Sequence, residues 1–167
     1  DIAQRAGATR GAVYWHFKDK MDVFVSMLGR ICLPFEEICD DRYGDLLPLE
    51  RIRHSILCVF ESLDEDERRR KVFETALFKM EYVGELADVR LQHIESSGFA
   101  REKFAHDLAA AARGQSVQLS VSPEEAALGL HSLFVGLIHG WVLTEGSFSL
   151  VKVGSMSVDV YLSGLGF

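Results

Sequence analysis

Apolar residues recur at three-and-four spacing along almost the whole chain, and sustained alternation of the kind that marks a half-buried strand is hard to find. That period belongs to helices, so the sequence predicts an all-α fold. Asp1 to Ala6 reads as the back of a short helix with Ile2, Ala3 and Ala6 inward, closed by Gly7, which adopts positive φ without a steric cost. Thr9 caps a second short helix through about Phe17, with Val13 and Phe17 one turn apart on one face. A third starts at Asp19, with Asp22 three residues on, and runs through Met21, Phe24, Val25 and Leu28 toward Pro34 and Phe35. Beyond Pro48, a helix over Leu49 to Leu63 carries Ile52, Ile56, Val59, Phe60 and Leu63. Asp64 to Asp66 caps the next, with Val72, Phe73, Ala76, Leu77 and Met80 inward. Leu86 to Arg113 is a long helical stretch, interrupted or bent near Gly98 and ended at Gly114. A polar loop, Gln115 to Ser122, leads to a strong helix start at Ser122, Pro123, Glu124 and Glu125. That helix stops near Gly146, and a last one begins at about Leu150.

Charge divides the chain in two. Residues 1–30 carry five basic and three acidic groups, a net +2, whereas residues 31–167 carry thirteen and twenty-two, a net −9. Phosphate binding needs a locally basic surface, not a basic total, so the asymmetry hints at two functions. The expected units are a head, 1–30, and a helical-bundle body, 31–167. With 48% apolar residues in 167, the chain is long and apolar enough to bury a core. No run approaching 18 consecutive apolar residues and no signal-peptide layout are seen, so the expectation is a cytoplasmic protein with no membrane contact. Cys32, Cys39 and Cys58 form neither an even-numbered framework nor a CxxC pair and read as reduced, packed thiols.

Two short helices joined by a tight Gly-containing turn have the proportions of a helix-turn-helix, whose second helix enters the DNA major groove. Thr9, Arg10 and Gly11 fall in the first turn of that helix, the part that meets base edges. Arg10 can pair bidentately with guanine, and the small Gly11 allows close backbone approach. Tyr14, Trp15 and His16 are consecutive, so they cannot all face a core. Lys20 lies in the first turn of the following helix, where the dipole disfavours a cation unless a phosphate arrives. Read one at a time, Tyr14 and Trp15 can equally pack against the next helix and Lys20 can simply be solvated.

The string AGATRGAVYWHFKDKMDVF, Ala6 to Phe24, resembles the DNA-binding signature of the TetR/AcrR family of bacterial repressors. The resemblance implies that Thr9, Arg10, Gly11 and Tyr14 lie on or beside the operator bases, with Trp15, His16 and Lys20 on phosphates. FKMEYVGEL, Phe78 to Leu86, and GLIHGW, Gly136 to Trp141, are similar to the AcrR-like branch that controls multidrug efflux pumps. It further implies a first helix ahead of Asp1, which this sequence lacks and which would complete the head.

The acidic body has more bulky apolar residues on helical faces than a minimal bundle needs. Ile56, Val59, Phe60, Phe73, Leu77, Phe99, Phe134 and Ile138 are the candidate lining of an internal cavity for a small hydrophobic inducer, although plain core explains each singly. An inducer preferring one spacing of paired heads shifts the dimer toward it, and a coupling of about 1–3 kcal/mol weakens operator binding some 5- to 150-fold. The helix from Asp19 onward is the expected lever. The last two helices are apolar on more than one side, with Leu130, Leu133, Leu137 and Trp141 on one and Val151, Val158, Tyr161 and Leu162 on another, which predicts a homodimer and a palindromic operator. His131 and His139 read as core or interface residues, and no metal or other cofactor is expected. No GxSxG, HExxH, P-loop or GxGxxG pattern appears, so an enzyme is not expected. The rival reading is a helical ligand-binding or interaction module without DNA binding.

Overall fold

A computed structural model of the chain describes residues 2–19, 22, 23, 26, 44–78 and 87–167. Among these, every regular element is a helix: α1 (Ile2–Arg5), α2 (Arg10–His16), α3 (Pro48–Glu65), α4 (Glu67–Phe78), α5 (Ala87–Gln115), α6 (Pro123–Leu143) and α7 (Leu150–Gly164).

Local chemistry sets the boundaries. Gly7, at φ +64°, turns the chain after α1, and the Thr9 hydroxyl accepts from the Ala12 amide at 3.1 Å to open α2. The Asp19 carboxylate accepts from Asp22 N–H at 2.9 Å while the Asp22 carboxylate accepts from Lys18 N–H at 2.9 Å, so the expected helix start forms. Met21, Phe24, Val25, Leu28, Pro34 and Phe35 lie outside the described residues, as do Lys20, Cys32, Cys39 and Met80. Asp66 opens α4 by accepting from the amides of Arg68 at 2.9 Å and Arg69 at 3.1 Å. Pro48 stands first in α3, and Ser122 and Glu125 form a reciprocal capping box ahead of α6. Glu145 and Gly146, both at positive φ, end the α6 segment.

Three expectations change. Ala3 is buried as predicted, but Ala6 follows the last helical residue and is exposed. The long helix runs unbroken through Gly98, because one glycine costs only about 1 kcal/mol and the following residues Ala100, Arg101, Glu102 and Lys103 are good helix formers. It also passes Gly114, and Ser116 takes the left-handed position at φ 55° while Val117 N–H closes onto the Ala112 carbonyl at 2.9 Å. The third concerns the membrane. The helix Pro123–Leu143 is by length and composition apolar enough to cross a bilayer, with a mean hydropathy of 1.6 over its best window. Scattered Gly, Ser and His residues break the consecutive apolar run without adding charge. This helix packs against α4, α5 and α7.

The core sits between α3, α5, α6 and α7. Ile52, Ile56, Val59, Phe60 and Leu63 point from α3 into Phe104 and Leu108 of α5, Leu130, Phe134 and Trp141 of α6, and Leu150, Val158 and Leu162 of α7. Side chains of this size contribute about 1.5–3 kcal/mol each when fully buried. Gly154 lets α7 approach closely, since a Cβ there would run into the Phe60 ring.

Candidate functional site

The head and the body each carry one candidate site. In the head, none of the α2 residues is buried. Val13 and Phe17 are half-buried and form its inner edge, and α1 lies against it. Every other side chain of the helix points out. Trp15 is 86% exposed and Tyr14 58% exposed, large apolar areas left in water that the fold does not use. The Arg10 guanidinium lies 5.7 Å from the centre of the Tyr14 ring, one turn away, which aligns the two along one outer stripe. Thr9, Gly11 and His16 are exposed beside them. The surface thus offers a fork of guanidinium donors, a hydroxyl and two amphipathic rings, the groups that meet base edges and phosphates. Arg10 and Tyr14 thus share one exposed stripe of α2 with Gly11 and Trp15 beside it and Thr9 at its cap, His16 is exposed further round the helix, and Lys20 falls outside the described residues.

In the body, Ile56, Val59, Phe60, Phe73, Phe134 and Ile138 join one apolar cluster, with the Phe60 and Phe134 rings 5.6 Å apart and tilted by 33°. Phe73 and Ile138 keep slight exposure, at 7% and 4%. The side chain of Leu77 lies outside the described set. Phe99 does not belong to the cluster: it is 55% exposed. Because α5 is one continuous helix, its inward stripe of Ala100, Phe104, Leu108 and Ala111 leaves Phe99 on the outer side with Glu102 and His106. His139 is exposed and packs on Phe78 with ring centres 4.8 Å apart and the planes tilted by 50°, and no cluster of metal ligands occurs among the described residues. Cys58 is a half-buried free thiol.

Sequence reasoning missed the polar ties of the body. Arg51 of α3 reaches Asp107 of α5 with Nη2 at 2.5 Å and Nε at 3.2 Å, while its Nη1 donates to the Leu46 carbonyl at 2.8 Å. Asp107 is 3% exposed, so the pair sits on the core's edge and holds the start of α3 on the long helix. A signal existed in Phe104, Asp107, Leu108 and Ala111, where a carboxylate occupies an inward position of an apolar stripe. Arg70 lies 4.7 Å over the buried Trp141 ring and donates to the Asp64 carbonyl at 2.9 Å; the indole N–H donates to the Phe148 carbonyl at 2.9 Å.

Comparison with known proteins agrees with this arrangement. Residues 1–27 match the model for bacterial regulatory proteins of the tetR family, and residues 47–167 match the C-terminal region of MAATS-type transcriptional repressors. The chain is 36% identical to the HTH-type transcriptional repressor BepR of Brucella suis over 99% of its own length and 80% of that protein's. It is 31% identical to the HTH-type transcriptional regulator AcrR of Shigella flexneri, covering 97% of this chain and 76% of that one. Among solved structures, NalD of Pseudomonas aeruginosa superposes with a TM-score of 0.77 at 28% identity, over 98% of this chain and 82% of that one. A SmeT–triclosan complex superposes with a TM-score of 0.71 at 31% identity, over 98% and 78%. With both its head and its body matched, the chain belongs to the TetR family of bacterial transcriptional regulators.

Proposed function

We infer that the protein is a ligand-responsive repressor that binds a palindromic operator as a homodimer, controls a multidrug efflux system and is released by a small hydrophobic inducer. The observation that carries the reading is the outward face of α2, where Trp15 and Tyr14 stand in water beside Arg10. A folded domain gains nothing from such exposure, and a duplex covers it. Arg10 reads guanine, Thr9, Gly11 and Tyr14 lie along the bases, and Trp15, His16 and Lys20 hold phosphates. The protein works in the cytoplasm, where its operator is, as a regulator and not as a catalyst.

Efflux control is supported by NalD, a secondary repressor of the MexAB-OprM multidrug efflux pump, and a hydrophobic inducer by SmeT, solved with triclosan. The inducer site is assigned to the cluster of Ile56, Val59, Phe60, Phe73, Phe134 and Ile138, together with Leu77, four residues on from Phe73 in the sequence. Dimerisation is assigned to α6 and α7. Only 39% of the apolar window in α6 is buried within one chain, and Leu128, Leu143, Met156 and Val160 on the two helices remain exposed.

Fluorescence anisotropy of the full-length protein on DNA from its own promoter region tests the reading. The expected result is salt-sensitive binding to a palindrome, reversed by members of a panel of hydrophobic compounds. Failure to bind that DNA overturns it.

A further inference from the structure

At the edge of the core a cleft of about 220 Å³ opens between α3 and α7. Its floor is apolar, made by the half-buried Leu57 with the buried Ile56, Phe60 and Val158 behind it. Its rim is polar: Arg53 Nε donates to Asp159 Oδ1 at 2.7 Å across the mouth, between side chains that are 41% and 57% exposed. A guanidinium has five N–H donors. Only Nε is engaged, so the four terminal N–H groups of Arg53 have no partner among the described residues. One aromatic ring needs a cavity of about 150 Å³, so the cleft holds a ring and a small substituent.

We propose that this cleft is a second ligand site, selective for small aromatic carboxylates, with the ring on Leu57, Phe60 and Val158 and the carboxylate on the terminal N–H groups of Arg53. An apolar floor alone favours neutral compounds. The terminal N–H groups at its edge, exposed and free to exchange water for a carboxylate, turn the preference toward an acid, because a charge-assisted bidentate bond to a carboxylate is about twice as strong as a neutral one. Asp159 opposes the incoming anion and holds Arg53 at the mouth, which sets a distinctive sign: removing the acid side of the ion pair improves binding. The cleft meets Ile56 and Phe60 of the inducer cluster from the α7 side, whereas Phe73 and Ile138 belong to that cluster and not to the cleft.

The test is a fluorine NMR titration of the full-length protein with para-fluorobenzoate, and with the neutral para-fluorobenzyl alcohol beside it. Saturable binding of the acid is expected, about tenfold tighter than of the alcohol. Arg53→Gln weakens the acid about tenfold and leaves the alcohol unchanged, Asp159→Asn tightens the acid several-fold, and Leu57→Trp, which fills the cleft, abolishes both. Arg53 and Asp159 are exposed enough for their variants to fold, and circular dichroism checks each one. Absence of saturable binding, or acid binding indifferent to Arg53→Gln and Asp159→Asn, overturns the proposal. Loss in Phe73→Leu with retention in Arg53→Gln also overturns it, since the acid then occupies the inducer cluster. None of these outcomes bears on operator binding.

Discussion

Helices α2 and α6 divide the labour of the chain. The α2 helix buries none of its residues and exposes a tryptophan and a tyrosine, whereas α6 buries Ala126, Ala127, Leu130, Phe134, Ile138, Trp141 and Val142. Both are capped by a hydroxyl at the first turn, so the difference lies in what their side chains are for. Residues that hold the body together do so by leaving water; residues of the head are exposed for an external partner. Substitutions in the two places therefore fail in different measurements.

The largest effect is expected at Phe134, fully buried against Phe60. Phe134→Ala lowers unfolding free energy by about 3–5 kcal/mol, as transfer and cavity terms add. Denaturant titration reads the loss. A change below 1 kcal/mol breaks the comparison, because the body then does not rest on this core. Arg51→Met comes next. It strands the Asp107 carboxylate, which is 3% exposed, and costs about 3 kcal/mol by the same measurement. The double variant Arg51→Met with Asp107→Leu recovers most of it, since the lone charge and not the missing attraction is the penalty. On the head the readout inverts. Arg10→Ala leaves stability within about 0.5 kcal/mol but relaxes base preference by about 1–3 kcal/mol, measured on operator variants. A stability loss with unchanged base preference there makes α2 a structural helix.

Much of this was legible because periodicity and caps are local. Gly7, Thr9, Asp19, Asp66, Pro48, Ser122 and Gly146 mark boundaries within one or two residues, and each does so locally: Thr9, Asp19, Asp66 and Ser122 through a bond to a neighbour, Gly7 and Gly146 through positive φ, and Pro48 as the first residue of α3. The outward set in α2 was legible for a related reason: three consecutive large polar-aromatic residues cannot share one face. What escaped is tertiary. Arg51 and Asp107 are 56 residues apart in sequence, and no local signal pairs them. Phe99 lies on the outer side because the inward stripe of Ala100 and Phe104 fixes the axis, and an aromatic on an apolar helix does not by itself show which side it takes. The bend foreseen at Gly98 failed because glycine permits a break without requiring one.

The smallest prediction uses the caps themselves. In α2 the cap is the Thr9 hydroxyl, which does not titrate near neutral or acid pH. At α6 the Glu125 carboxylate accepts from Ser122 N–H at 2.9 Å and from its hydroxyl at 2.9 Å, and these bonds hold its pKa below the ordinary 4.5, the backbone bond most. At α4 the Arg69 backbone bond, and after it that of Arg68, hold Asp66 below the ordinary 3.8. A carboxyl whose folded pKa is depressed stabilises the fold fully above its unfolded value and loses that contribution as pH falls through the folded one. Acidification from about pH 5 downward therefore loosens the first turns of α4 and α6 while the first turn of α2 keeps its cap. Amide hydrogen exchange at Arg68, Arg69 and Ser122, corrected for intrinsic rate and set against Ala12, reads this directly. Protection should fall with pH at the first three and hold at the fourth. If Ala12 loses protection alongside them, the head's short helix depends on the body's charge state, and the division between the two helices is less complete than their burial suggests.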